Sequence, residues 1–186
     1  MTTLLVLGAG RNQIALIERG RQMGLRVVSA DPAADSPGFA LSDACFVTDL
    51  ADMDRLLDIA REQQINGVMT AAADFPVPAV AQVCETLGLP GISPKTAEVA
   101  TNKYAMRAAL TSAGLPVPWS VRVQTLDEAA EVLRQKSGPA ILKPCLSSGG
   151  RGITLLSPDW SRADVEEALR HAKSHSLDGM ALIEEY

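Results

Sequence analysis

The chain has 186 residues, enough for one large domain or two small ones, and its 47% hydrophobic content argues against a disordered protein. Only 4% of the residues are aromatic, so a core of Val, Ile, Leu and Ala is expected, as in α/β proteins with buried parallel strands. The net charge of −5, without a run of Lys and Arg, argues against a nucleic-acid-binding face, and no apolar run approaches the roughly 18 residues of a membrane span.

The front of the chain alternates apolar strands with amphipathic helices. The pattern predicts strands at 3–7, 26–30, 44–47 and 67–70, and helices at 13–23, 52–64 and 77–87. The segment 33–42 is rich in small residues and is predicted to be a loop. This alternation favours a parallel sheet with right-handed crossovers, and therefore a Rossmann-like domain over residues 1–92.

The punctuated segment 89–94, Leu-Pro-Gly-Ile-Ser-Pro, marks the predicted domain boundary. Beyond it the strands and helices no longer alternate regularly, which favours an α+β unit over residues 93–186. Capping boxes are predicted at Thr125 with Glu128 and at Ser161 with Asp164. The predicted helices are 93–100, 102–113, 126–136 and one that follows Ser161, and the predicted strands are 120–123, 140–143, 153–156 and 180–183.

A loop between two predicted strands is the strongest candidate for phosphate binding. Lys143 ends the first strand, where its compact charge is placed to reach phosphate oxygens. A Ser/Gly-rich loop follows and consists of Ser147, Ser148, Gly149, Gly150, Arg151 and Gly152. Glycines allow backbone N–H groups to approach phosphates, and Arg151 adds a bidentate donor. The alternative is a hairpin beside an unrelated surface lysine.

Two other segments place charges at the ends of elements. Lys103 lies in the first turn of a predicted helix, where a positive charge opposes the helix dipole unless an anion is bound nearby. Glu184 and Glu185 follow an apolar strand and precede Tyr186. A solvated surface lysine and a charged strand end are the plain alternatives.

Taken together, these segments resemble the ATP-grasp superfamily, in the branch that contains biotin carboxylases, carbamoyl-phosphate synthase large subunits and purine-pathway carboxylases and ligases. A Rossmann-like unit normally comes first in this family, so the resemblance covers the whole chain. The matching segments are, in chain order, 102–103 with 106–107, 114–118, 142–144, 147–152 and 184–186.

The resemblance implies an ATP-dependent carboxylate–amine or carboxylate–thiol ligase that acts through an acyl phosphate. Lys103 and Lys143 would contact the α- and β-phosphates, and residues 147–152 would close over the β- and γ-phosphates. Glu184 would lie at the adenine amino group, and the backbone of Glu185 and Tyr186 would line the hinge edge.

The resemblance also implies that the Mg²⁺ ligands of the family and its ribose-binding Glu lie beyond the adenine strand, outside this chain. Because Mg²⁺ bridges and neutralises the β- and γ-phosphates, we expect no catalysis by this chain alone, weak nucleotide binding, and no catalytic or metal-ligating residue within it. The end of the chain directly after an apolar strand predicts a truncated domain.

A glycine-rich loop near the start leaves alternatives open. Gly8, Gly10 and the later Asp31 resemble a dinucleotide fingerprint, but Gln13 replaces its third glycine. One alternative is therefore an NAD(P)-dependent oxidoreductase, and another is a non-catalytic nucleotide-binding half-protein. In the ATP-grasp interpretation this end of the domain faces the substrate, and the candidate residues are Gly8, Gly10, Arg11, Asn12 and Asp74.

The remaining expectations concern location and partners. Three widely spaced cysteines, Cys45, Cys84 and Cys145, predict reduced thiols in a cytoplasmic protein. The expected partners are small-molecule carboxylate and amine substrates, with a C-terminal half chain or a second copy of the chain as further candidates. Neither a nucleic acid nor a membrane is expected as a partner.

Overall fold

The computed structural model describes residues 1–136, 138–147 and 149–186. The chain divides into two units, Met1–Ala97 and Glu98–Tyr186, and each has a sheet and a hydrophobic core of its own. Ser148, which the sequence places in the candidate phosphate loop, lies outside the described residues. Within the described residues, no helix has the length and apolar character needed to cross a membrane.

The first unit is a parallel α/β domain. Its elements are β1 (Thr3–Leu7), α1 (Ile14–Gln22), β2 (Arg26–Asp31), β3 (Ala44–Val47), α2 (Met53–Glu62), β4 (Gly67–Met69) and α3 (Val77–Leu87). All strand pairs are parallel, in the order β3-β2-β1-β4. Leu5 and Leu7 belong to a core shared with α2 and α3, while Leu4 and Val6 pack with Ile17 of α1, so helices cover both faces. The predicted parallel sheet is confirmed.

The segment 33–42 differs from the predicted loop, because Pro37–Leu41 forms a short 3-10 helix. Gly38 in this helix donates from its N–H to the carbonyl of Ala9 at 2.7 Å. A Cβ at Gly38 would meet that carbonyl oxygen and the side chain of Ile17 at 2.7 Å each, so the close approach requires glycine. One short turn leaves no periodic apolar pattern, which is why the sequence does not reveal it.

The second unit is an α+β domain that begins within α4 (Pro94–Thr101), a helix that spans the boundary between the two units. Its other elements are α5 (Lys103–Ser112), β5 (Ser120–Val123), α6 (Leu126–Gln135), β6 (Ala140–Pro144), β7 (Thr154–Leu156), α7 (Arg162–Ser174) and β8 (Ala181–Glu185). The sheet is antiparallel in the order β5-β8-β6-β7, so β8 lies between β5 and β6. The predicted fold class, a Rossmann-like unit followed by an α+β unit, is confirmed.

The helices α6 and α7 cover one face of this second sheet. Leu142 of β6 and Ile183 of β8 are completely buried against them, together with Val165 of α7. Both helices begin with the predicted capping boxes, in which a hydroxyl and a carboxylate satisfy backbone N–H groups of the first turn. The opposite face of the sheet therefore presents the alternate residues of the same strands.

Candidate nucleotide-binding site

The face of the second sheet opposite α6 and α7 carries polar and apolar side chains next to each other. Lys143 of β6 pairs in register with Leu182 of β8. The neighbouring row, one step along the strands, consists of Ser120, Glu184, Ile141 and Leu155. Leu155 keeps 54% of its surface exposed, although it lies next to Ile141 in the sheet. The face thus places a lysine and a glutamate beside an accessible apolar surface.

Three charged side chains meet on this face, and we call Arg107, Lys143 and Glu184 the Glu184 cluster. The Lys143 ammonium lies 2.6 Å from Oε1 of Glu184. Arg107 of α5 donates from Nε to Oε2 at 2.8 Å and from Nη2 to Oε1 at 3.1 Å. The exposed fractions of the side chains are 7% for Glu184, 12% for Lys143 and 26% for Arg107. One nearly buried carboxylate therefore binds two cations.

The cluster fixes the charge of its carboxylate. Burial by itself would raise the pKa of Glu184, but the hydrogen bonds from Arg107 and Lys143 outweigh it and hold that pKa below its ordinary value. The hydrogen bond to Glu184 likewise raises the pKa of the Arg107 guanidinium. At neutral pH, Glu184 is therefore an ionised acceptor that cannot donate a hydrogen bond.

Lys103 is the first residue of α5 and is tied to the start of the candidate phosphate loop. Asn102 caps the helix, accepting from the N–H of Ala105 at 3.1 Å. The backbone N–H of Lys103 donates to the carbonyl of Cys145 at 3.2 Å, and its ammonium donates to the carbonyl of Ser147 at 2.6 Å. The structure thus brings Lys103 to the loop that follows Lys143, although the two lysines are 40 positions apart in the sequence.

The loop is packed at its base and open at its tip. Gly149 and Gly150 have φ angles of +74° and +70°. Among the described residues, no atom outside the glycine and its two chain neighbours lies within 4 Å of where a Cβ would stand. Gly152 is buried with a φ of +72°, and a Cβ there would lie 2.8 Å from side-chain atoms of both Pro144 and His175. Arg151, between them, is exposed. The open glycines leave the backbone of the tip accessible to a ligand.

Two residues at the end of β8 do not join the Glu184 cluster. Glu185 points to the other side of the strand and is exposed, and its backbone N–H donates to the carbonyl of Trp119 at 3.0 Å. The side chain of Glu185 accepts a long hydrogen bond of 3.4 Å from the N–H of the same tryptophan. Tyr186 is 71% exposed. Their role at a nucleotide hinge stays a prediction.

In the first unit, Asp31 is occupied by its own chain. Its Oδ2 accepts from the N–H of Ala9 at 2.6 Å. Its Oδ1 accepts from the N–H of Ala33 at 2.9 Å and from the hydroxyl of Ser36 at 2.7 Å. A dinucleotide-binding acid needs free oxygens for the ribose hydroxyls. Here both oxygens hold the loops after β1 and β2 together.

Gln13 fills the space above the glycines of the same loop. Its side chain is nearly buried, lies 3.2 Å from the position of a Cβ on Gly8, and donates to the carbonyl of Ala71. In a dinucleotide-binding loop this position is a glycine, which permits close helix–strand packing. Together with the bonding of Asp31, this geometry argues against the NAD(P)-dependent alternative.

The substrate-side candidates of the first unit lie at the carboxyl ends of its strands. Gly8 follows β1 with a φ of +95°, and Gly10 precedes a 3-10 turn that leads into α1. Arg11 and Asn12 in that turn are exposed, as is Asp74 after β4. This is the edge at which open α/β sheets bind ligands. The assignment of these residues to a substrate stays a prediction.

The sequence analysis placed Arg107 in the segment 106–107 that carries the resemblance, but gave it no role at the site. The signal was available, because Arg107 follows Lys103 by four positions and the two therefore lie on the same face of α5. Its contact with Glu184 joins residues 77 positions apart, and no local pattern indicates such a pairing.

Family models match both halves of the chain. Residues 17–91 match the ATP-grasp N-terminal domain, and residues 102–186 match the ATP-binding domain of the carbamoyl-phosphate synthase L chain. The chain belongs to the ATP-grasp superfamily. The second match ends at Tyr186 and takes in every residue of the Glu184 cluster as well as Lys103 and the glycine-rich loop. The resemblance inferred from the sequence is confirmed.

Several ATP-grasp proteins are similar to this chain. A formate-dependent phosphoribosylglycinamide formyltransferase of Burkholderia mallei is 28% identical over 177 residues, which cover 92% of this chain and 42% of that protein. An N5-carboxyaminoimidazole ribonucleotide synthetase, solved as an ADP complex, superposes on the whole chain with a TM-score of 0.81 and 22% identity. The biotin carboxylase domain of Hydrogenobacter thermophilus 2-oxoglutarate carboxylase, solved as a dimer with Mg-ADP and bicarbonate, superposes with a TM-score of 0.76 and 20% identity.

The chain spans less than half of each of these relatives. It covers 47% of the synthetase chain and 44% of the biotin carboxylase chain. At these identities the solved structures show the shared fold. The activity and substrates of the whole relatives reach this chain only as proposals.

Proposed function

We propose that the second unit binds ATP and that the chain serves an ATP-dependent carboxylate–amine or carboxylate–thiol ligase. The observation that carries this proposal is the contact of the Lys103 ammonium with the carbonyl of Ser147, at the start of the glycine-rich loop that follows Lys143. The Lys143 ammonium in turn pairs with a nearly buried, ionised Glu184. The two lysines supply the positive charge that a polyphosphate needs, and the open backbone of the loop supplies N–H donors. The membership in the ATP-grasp superfamily supports the same assignment.

Each element of the site receives a part of the nucleotide in this proposal. Lys103 and Lys143 bind the α- and β-phosphates. The ammonium of Lys103 lies at the start of the loop, and that of Lys143 lies at Glu184. The loop residues proposed to cover the β- and γ-phosphates are Ser147, Ser148, Gly149, Gly150, Arg151 and Gly152. Glu184 accepts from the amino group of the adenine, whose ring lies on the apolar surface of Ile141 and Leu155. The backbone of Glu185 and Tyr186 lines the edge of the base.

The proposed reaction activates a carboxylate. A carboxylate oxygen attacks the γ-phosphorus, the bond to the β-phosphate oxygen breaks, and ADP leaves with an acyl phosphate as the other product. An amine or thiol then attacks the acyl carbon, expels inorganic phosphate and loses a proton to that phosphate or to water. The lysines act by holding the phosphates in line and balancing their charge. We propose that the first unit presents one substrate through Gly8, Gly10, Arg11, Asn12 and Asp74.

We propose Mg²⁺ as the companion of the nucleotide, as in the Mg-ADP complex of the biotin carboxylase domain. The ion would supply positive charge that neutralises the phosphates. Among residues 1–136, 138–147 and 149–186, no three His, Cys, Asp or Glu side chains are grouped to hold a metal ion. The described residues therefore do not fit a protein-bound metal.

The test is thermal unfolding of the chain with Mg-ATP, Mg-ADP or NAD(H). A nucleotide at about 100 times its Kd is expected to add about 2.7 kcal/mol to the free energy of unfolding. Lys143→Met should abolish the stabilisation, whereas Lys95→Met, which removes an exposed lysine of α4, should preserve it. Stabilisation by NAD(H) alone, or an unchanged effect of Mg-ATP on Lys143→Met, would overturn the proposal.

A further inference from the structure

The single carboxylate of Glu184 is bound by two cationic side chains, Lys143 and Arg107. Its Oε1 accepts from both Lys143, at 2.6 Å, and Arg107, at 3.1 Å. Its Oε2 accepts from Arg107 alone, at 2.8 Å. The planar guanidinium thus grips both oxygens, while the ammonium contacts one. The two cations are therefore not equivalent in what they do for Glu184.

The difference matters when one cation has a second task. In the proposed function, Lys143 binds phosphate, and its flexible stem allows the ammonium to turn away from Glu184. A carboxylate only 7% exposed would then be left in a poorly solvated place, which is costly without a partner. Arg107 removes that cost, because its two hydrogen bonds do not depend on Lys143.

We propose that Arg107 is a positioning residue of the nucleotide site, which holds the carboxylate of Glu184 in place while Lys143 exchanges it for phosphate. This inference rests on the proposed function and deepens it. It also makes α5 a two-ended clamp, because Lys103 at its first residue contacts the loop and Arg107, one turn later, contacts β8.

The clamp has a consequence for base selection. An ionised carboxylate accepts hydrogen bonds and cannot donate them, so it matches the amino group of adenine. It mismatches the carbonyl oxygen that hypoxanthine carries at the same position. Arg107 thereby supports the choice of adenine without touching the base, through the charge and orientation of Glu184. Arg107→Lys keeps the positive charge but loses the bidentate hydrogen bonding, so this variant should retain part of the preference for adenine.

The experiment measures the binding of ATP and of inosine triphosphate to the full chain from about pH 5 to about pH 8. Arg107→Met should weaken ATP binding by roughly 10- to 100-fold, the size of a hydrogen bond to a charged group, and should narrow the preference for ATP. The loss should grow towards low pH, because Glu184 is then protonated more readily. In a Glu184→Gln background, Arg107→Met should have little further effect.

Three results would decide against the inference. An equal loss for both nucleotides at every pH would make Arg107 a general structural residue. A full effect of Arg107→Met in the Glu184→Gln background would mean that it does not act through Glu184. An NMR titration without nucleotide would contradict the clamp if the pKa of Glu184 stayed the same in Arg107→Met. Failure of the wild type to bind either nucleotide would instead overturn the proposed function, and this inference with it.

Discussion

Gly149 and Gly152 form a matched pair for testing how the glycine-rich loop is held. Their φ angles, +74° and +72°, are nearly the same, so an alanine suffers the same backbone strain at both, about 1–2 kcal/mol. Their surroundings differ, since a Cβ at Gly149 meets no atom of the described, non-adjacent residues within 4 Å, whereas a Cβ at Gly152 meets Pro144 and His175 at 2.8 Å. Overpacking of this kind costs about 1–3 kcal/mol more.

We therefore expect Gly149→Ala to lower the free energy of unfolding by about 1–2 kcal/mol and Gly152→Ala by about 2–5 kcal/mol, as the sum of strain and overpacking. The assay is urea unfolding followed by tryptophan fluorescence. The only two tryptophans of the chain, Trp119 and Trp160, both pack on the core of the second unit, so the signal reports on that unit. Equal losses in the free energy of unfolding for the two variants would show that Pro144 and His175 can move to accommodate a Cβ, and would refute the reasoning.

Three further predictions concern other parts of the chain. The pKa of Glu184 is lowered in the folded state, so the stability that its charge contributes is present at neutral pH and is lost as the pH falls through that lowered value. The free energies of unfolding of wild type and Glu184→Gln should therefore converge at low pH. Cys45 is exposed, whereas Cys145 is buried and has a pKa raised to about 11 by burial and by the charge of a nearby aspartate. Alkylation at about pH 8, near the ordinary pKa of a thiol, should therefore modify Cys45 in the native protein and Cys145 only after unfolding. Removal of either capping hydroxyl, by Thr125→Ala or Ser161→Ala, should cost about 1 kcal/mol in the same urea assay, and no loss at either position would contradict the capping-box geometry.

Most of the fold was predictable from local patterns. The central strand β1 of the first unit is an apolar run because both of its faces are covered, and α3 ends at Gly88, which takes a φ of +65°. The capping boxes of α6 and α7 followed from two residues three positions apart. The short 3-10 helix at Pro37–Leu41 was missed, because its conformation depends on the contact of Gly38 with a distant carbonyl.

The candidate site was predictable in its residue types and not in its pairings. The sequence marked Lys103, Lys143 and Glu184 as separate charges, each with an unremarkable alternative explanation. The sheet order, with β8 between β5 and β6, is what brings Glu184 beside Lys143, and that order is not encoded in any single segment. Arg107 became interpretable only once α5 was seen to contact the same carboxylate.

The excess of positive charge in the Glu184 cluster has a kinetic consequence. Arg107 and Lys143 carry two positive charges against the single negative charge of Glu184, on a protein whose net charge is −5. At physiological ionic strength, charges beyond about 8 Å are largely screened, so an approaching polyanion is repelled by the protein only weakly and is attracted by the cluster at short range. At low ionic strength the screening length grows, so the net charge of −5 should slow the encounter with a nucleotide, whereas the rate at which the nucleotide leaves the nearly buried cluster should depend less on salt.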